Sequence, residues 1–355
     1  MEFLILDENL NTSSVLDTYE SILWTDRYNK CGDFEIYTSM SDTVLSRIKQ
    51  DYYIWTRDSE HVMIVEDIQI TSDAEDGNNL IVVGRSLESI LDRRIIWKQT
   101  VLSGNFQNGI KKLLDENVIS PTDESRKINN FIFVESTDPA VTSLTLEAQF
   151  TGDNLYEAIC DLCASKDIGF KITLTDDGKF AFQLYAGADR TYDQLVNPHV
   201  VFSPSFENII NSNYLESKKS LKTVTLVAGE GEGSDRKTKE VAISSGGGSG
   251  LGRRELYTDA RDISSTTDNG TLTEAEYNSQ LEQRGKEKLA DNTVTKTFEG
   301  EMETSKMFVY GEDFFMGDMV QIVNEFGIEA KARVVEMIHS QDENGIDFYP
   351  TFETI

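Results

Sequence analysis

The chain has 355 residues, 39% of them hydrophobic and 10% aromatic. That is too apolar for a disordered chain and long enough for two or three domains, since single cores rarely grow past ~250–300 residues. Sixty-two acidic against 33 basic residues give a formal net charge of -29, which excludes wrapping nucleic acid or sitting on an anionic membrane, because both need positive patches.

The opening MEFLILDENL has no basic n-region and no long apolar core, so no signal peptide is expected. No run approaches the ~20 apolar residues of a membrane span. Three cysteines, an odd number widely placed, do not make a disulfide framework, and synthesis in a reducing cytoplasm fits best.

The first hundred residues read mostly as strands: Glu2 to Leu6, Ser21 to Tyr28 and Asp33 to Thr38, the last two separated by a turn at Cys31-Gly32. Val62, Ile64, Ile68 and Ile70 fall on alternate positions, which predicts a strand with these four on one buried face. Glu75-Asp76-Gly77-Asn78 turns the chain into Leu80 to Val83, and a short helix follows at Ser86 to Asp92. A small antiparallel barrel or curled sheet is expected over residues 1–100.

Residues 101–199 change period. Phe106, Ile110, Leu113 and Leu114 recur at helical spacing, as do Leu155, Ile159 and Leu162, with Asp153 as the expected cap and Gly169 past the end. Phe170 to Leu174 and Lys179 to Leu184 flank Asp176-Asp177-Gly178, a hairpin signal, and an α+β domain is expected.

From residue 200 strands return, at Val200 to Phe202, Phe206 to Leu215 and Leu221 to Ala228, and these are expected to complete the first barrel. Gly229 to Gly233 (GEGEG) and residues 244–250 (SSGGGSG) read as loops, the second flexible. A long polar helix spans 273–292, opened by Thr273 and Glu276 as a capping box. Thr293 to Glu301, Asp318 to Val323, Ala330 to Ile338 and Asp347 to Phe352 close the chain, with a hairpin turn at Asn344-Gly345. A second barrel over 200–355, buttressed by that helix, follows. The expected fold class is therefore α+β, mainly β: two β-barrel domains of tube type with an inserted α+β domain.

No reaction chemistry stands out. His61, His199 and His339 have no other His or Cys at metal-ligand spacing and read as structural or surface groups. Cys160 and Cys163 form a CxxC inside a helical run rather than at a helix start, where the dipole would activate a thiol, so packing is the reading. Neither glycine run is followed by the Lys-Ser/Thr of a phosphate-binding loop. Glu35, Asp67, Glu230 and Asp313 are candidates for a glycosidase pair, with nothing favouring any of them. No catalytic, cofactor-binding or metal-binding residue is assigned, and no cofactor is expected.

Four segments resemble the tail hub family of long-tailed phages and prophages, of the siphophage Gp37-like type. They are SILWTDRYNKCGDFEIYTSM at 21–40, with Trp24, Tyr28, Gly32, Phe34 and Ile36 in the matching places; MIVEDIQITSDAEDGNNLIVVGRSLESILDRRIIWKQT at 63–100, with its Gly-Arg-Ser-Leu; VVFSPSFENIINSNYLESKKSLKTVTLVAGEGEGSDR at 200–236; and YGEDFFMGDMVQI at 310–322. The resemblance implies a homotrimeric hub, with two barrels per subunit making a pseudo-sixfold ring that continues the hexameric tail tube and adapts it to a threefold tip. It implies contacts with tail tube and distal tail proteins and with tail-fibre or tip proteins, and a place in the virion tail. DNA would pass through the lumen without being bound, repelled by carboxylates. Fibre or lytic extensions are common in such proteins; this chain ends at Ile355, so activities carried by an extension are not expected. The alternatives from other classes are a carbohydrate-active cell-wall hydrolase and a receptor-binding tail-tip module.

Overall fold

The computed structural model describes residues 2–73, 77–243, 248–267, 270–302, 307–324 and 329–354. Most of the glycine-rich segment read as flexible (residues 244–247), and Glu75 and Asp76 of the turn, lie outside them.

The first quarter holds β1 (Phe3–Leu6), β2 (Thr12–Leu16), β3 (Ser21–Arg27), β4 (Asp33–Ser39), α1 (Asp42–Arg47), β5 (Tyr53–Thr56), β6 (Val62–Asp73), β7 (Gly77–Ser86) and a 3₁₀ helix, Leu87–Arg93. The middle holds β8 (Thr100–Asn105), α2 (Phe106–Leu114), β9 (Phe131–Val134), α3 (Pro139–Thr142), β10 (Thr145–Phe150), α4 (Leu155–Ser165), β11 (Gly169–Leu174) and β12 (Phe180–Tyr185). Next come β13 (Val201–Phe202), β14 (Ile209–Ser217), β15 (Val224–Ala228), β16 (Thr238–Ala242), β17 (Glu255–Asp259), β18 (Thr266–Thr267), β19 (Gly270–Thr271) and α5 (Glu274–Ala290). β20 (Thr295–Met302), β21 (Met319–Val323), β22 (Glu329–Asp342) and β23 (Gly345–Thr354) complete the chain. The fold is mainly β.

One 13-stranded sheet runs from β14 through β20, β23 and β22 to β3, then through β4, β7, β6, β5 and β1 to β2. The joint is antiparallel pairing of β22 with β3, from Glu336 opposite Arg27 to Gln341 opposite Ile22. The order is open at β14 and β2, so among the described strands neither expected barrel closes. The strands of 200–228 also pair elsewhere: β14 with β20, β13 with β21, and β15 with β16 and β17. Each half of the sheet nevertheless has its own core. Phe3, Trp24, Phe34, Ile36, Ile54 and Val82 pack in the first, and Phe202, Ile209, Phe298, Phe314, Val334 and Phe352 in the second.

β6 corrects the expected single apolar row. A bulge between Val65 and Asp67 inserts one residue against β7, and side chains alternate with period two, so one extra residue exchanges the faces. Before it, Met63 and Val65 face the first sheet core while Val62 and Ile64 pack into the middle region; after it, Ile68 turns to the sheet core and Ile70 is exposed.

In the middle region α2 is capped by Asn105 and buries Phe106, Ile110, Leu113 and Leu114 completely. The cap of α4 is Asn154, which accepts from the Glu157 amide; Asp153, the expected cap, accepts from the Thr151 amide instead. The stretch 224–290 is a small unit that the sequence only half reveals. β15 lies between β16 and β17, and α5, opened by the Thr273–Glu276 capping box, packs its Tyr277 and Leu281 into one core with Val227, Val241 and Ile263.

Candidate functional site at the joint of the sheet

Residues of three of the four resembling segments, 21–40, 63–100 and 310–322, meet where β3 joins β22. Gly32 and Gly84 are glycines because backbone crosses them: a Cβ would lie 2.0 Å from the Thr25 carbonyl oxygen in the first and 1.8 Å from that of Ile64 in the second. Gly317 has φ of +87° and lies under the Tyr28 ring, 2.2 Å from where its Cβ would be. Next to it, buried Asp318 accepts from the amides of Ala188 (2.6 Å) and Phe315 (3.0 Å) and from Arg190 Nε (2.6 Å). Arg333 stacks over Tyr28 (5.2 Å) and pairs with Asp167, while Arg27 ties Asp33 on β4 to Glu336 on β22.

Beneath this lies a buried polar cluster. Ser86 accepts from the Gly32 amide (2.7 Å) and donates to Glu88, which also accepts from the Ile172 amide (2.6 Å). His61 Nδ1 stands 3.6 Å from Glu88, an ion-pair distance rather than a hydrogen bond. Burial alone would lower His61, but the Asp26, Glu88 and Glu60 carboxylates outweigh it and raise its pKa to about 9. Burial would raise Glu88; His61, Ser86 and the Ile172 amide hold it below the usual range. Burial raises Asp26 and lowers His339, whose Nε2 is 4.0 Å from Asp26. The cluster thus joins β3, the turn before β6, the 3₁₀ helix, β11 and β22 in one electrostatic unit.

Of the singled-out histidines, His61 and His339 are brought together around Asp26, and His199 is exposed, its Nε2 2.9 Å from the Gln194 carbonyl. Glu35 and Asp67 are exposed on β4 and β6, and Asp313 accepts from the Val309 amide in a turn. Glu230 pairs with Lys237 (2.6 Å) and accepts from Ser265, contacts that hold its pKa down to about 2. These four sit on separate elements. The carboxylates that matter to the joint, Asp26, Glu88 and Asp318, were not among the candidate site residues; an Asp close behind the apolar Ile22–Leu23–Trp24 run of β3 was the available signal. Among the described residues no group of three or more His, Cys, Asp and Glu could hold a metal ion, and no helix is long and apolar enough to cross a membrane.

Cys160 and Cys163 are free thiols on α4, Cys163 wholly buried. Burial pushes Cys160 up to about 12 and Cys163 well above its ordinary value. Both should therefore react with an aromatic disulfide reagent at least about 100-fold more slowly in the native protein than in denaturant, since the thiolate is the nucleophile. Fast native labelling of either would contradict the packing role.

The sequence profile described as "Siphovirus ReqiPepy6 Gp37-like protein" matches residues 2–352. No curated protein matches the chain in sequence. Among solved structures, the chain is similar to the 43 kDa tail protein of prophage MuSo2 from Shewanella oneidensis, at 11% identity and TM-score 0.59, covering 99% of this chain and 98% of that one. It is similar to a tail protein from Neisseria meningitidis, at 13% identity and TM-score 0.57, over 99% and 96% of the two chains. The prophage tail protein gp18 from Listeria monocytogenes gives 12% identity and TM-score 0.54 over 99% and 94%. At these identities the likeness is one of fold. The profile match over almost the whole length settles the family: the chain belongs to the siphovirus Gp37-like family of phage tail proteins, components of the virion tail.

Proposed function

We propose that this protein is the tail hub, a homotrimer that continues the tail tube at its distal end and adapts sixfold symmetry to a threefold tip. The observation that carries the reading is the single sheet with two separately cored halves joined edge to edge at β3 and β22. Three subunits would present six such halves in a ring. In this reading residues 1–100 and 200–355 supply the two ring modules, and 101–199 forms the α+β domain that braces them. Tail tube, distal tail and tip proteins are the partners.

Its role is structural. The buried charged groups at the joint bind segments of the chain to one another. The -29 charge supports a lumen that lets DNA slide, because each phosphate contact with Lys or Arg would add affinity and drag. Light scattering over a range of concentration and salt tests the assembly. We expect a species of three times the 40.0 kDa subunit mass. A monomer at every concentration, with and without tail tube protein, would overturn the reading.

A further inference from the structure

Beside the joint opens a cavity of about 870 Å³. Its walls come from β3, the turn between β5 and β6, β11, the stretch after β12, the segment before β21 and the β22–β23 hairpin.

Two of its cations show what the lining offers. Lys171 pairs with Glu60 (2.6 Å) and lies over the Tyr185 ring (5.3 Å). Arg190 pairs with Asp318 (2.6 Å) and lies over the Phe315 ring (5.9 Å). Each cation is thus held by one carboxylate and one aromatic face, the pairing that cation–π attraction favours. A third set of the same kind lacks a Lys or Arg and holds only the His339 imidazole, 4.0 Å from Asp26. Asp26 and Asp58 have no Lys or Arg partner among the described residues, and Tyr310 and Phe348 line the cavity with them. Asp26 is 3% exposed and its Oδ1 has no hydrogen-bond partner. His339, packed against both Tyr310 and Phe348 and 4% exposed, has neither ring nitrogen bonded. Unpaired buried polar atoms cost free energy, and a carboxylate in that state favours a charged donor. Asp58, by contrast, is exposed, so it guards the mouth while Asp26 forms the floor.

We propose that this cavity binds an alkyl cation, a primary ammonium or guanidinium on a slender aliphatic stem, held by Asp26 and Asp58 alongside the Tyr310 and Phe348 rings that line it. The cation is either a Lys or Arg side chain of a neighbouring protein or a free polyamine. The site does not depend on ring assembly.

Isothermal titration of the full-length protein at low salt tests it, with agmatine, capped arginine (acetyl-arginine methylamide) and the neutral butylurea as probes. The cationic probes should bind at least about tenfold more tightly than butylurea, and Asp26→Asn should weaken them by about tenfold or more. Asp58→Lys, an exposed change that spares the core, should place a cation at the mouth and abolish uptake. Tighter binding of capped arginine than of agmatine identifies a protein side chain as the source, and the reverse order a free polyamine. Equal affinity for butylurea, no binding by either cation at millimolar concentration, or full affinity in Asp58→Lys would overturn the proposal.

Discussion

Replacing Glu88 with Gln is expected to destabilise the protein by about 3–5 kcal/mol at neutral pH, the range seen when one partner of a buried ion pair is removed. Glu88 is 1% exposed and takes a hydrogen bond from Ser86 and another from Ile172 while facing His61. A Gln amide has one acceptor oxygen for these donors, and its NH₂ must then face a donor or the imidazole. The pH dependence carries a sign. His61 is raised from 6.5 to about 9, so its stabilisation is complete below pH ~6.5 and fades as the pH rises through ~9. Glu88 is lowered from 4.5, so its contribution is complete above that value and fades as the pH falls through the lower folded-state pKa. Denaturant titrations of the native protein should therefore show stability declining from pH 6.5 towards 9, and Glu88→Gln should flatten that decline. Identical profiles, or a loss below about 1 kcal/mol at pH 7, would mean the pair does not hold the joint.

The second large effect is expected at Arg284 of α5, 7% exposed. Its guanidinium meets both Asp262 oxygens (2.9 and 3.3 Å), donates to the Gln149 carbonyl on β10 (2.9 Å) and stacks over Phe150 (5.3 Å). It therefore pins the 224–290 unit to the middle region. Arg284→Met keeps the aliphatic stem and leaves Asp262 and the buried Glu287 without their counter-ion, which should cost about 3–5 kcal/mol. Burial already raises Glu287 to about 7, and without the arginine it should protonate more readily still. The loss should be local. Hydrogen exchange should quicken in 224–290 while amides of the 13-stranded sheet keep their protection. A uniform change across the chain would show that Arg284 does not act as a pin.

The elements that alternate or repeat within their own span were legible from the residues: β4 with Phe34 and Ile36 inward, α2 with its Phe106–Ile110–Leu113 face, and α5 from its Thr273–Glu276 box. Local pattern failed where a distant partner decides. Nothing in Val62 to Ile70 reveals the bulge, because the extra residue is defined only against β7. β16 and β17 are short and polar, and their strand character comes from β15 between them. Asn154 outcompeted Asp153 as cap by a single position, a shift within the usual error of helix ends. At the joint, the glycines of the resembling segments were visible. Their reason was not, since the carbonyls of Thr25 and Ile64 that cross them belong to other strands.

The pairing of β22 with β3 also sets an order of events during synthesis. Residues 22–27 wait for residues 336–341 before the sheet becomes continuous. At ~5–20 residues per second on the ribosome, that delay is roughly 15–60 s. The middle region has its own core and can collapse in the interval, whereas the edge of β3 stays unsatisfied, a slow long-range closure typical of high contact order. An unfinished chain therefore lacks the joined sheet. Incomplete copies would be unable to present both halves to a growing tail, so translation itself would act as a quality gate on assembly.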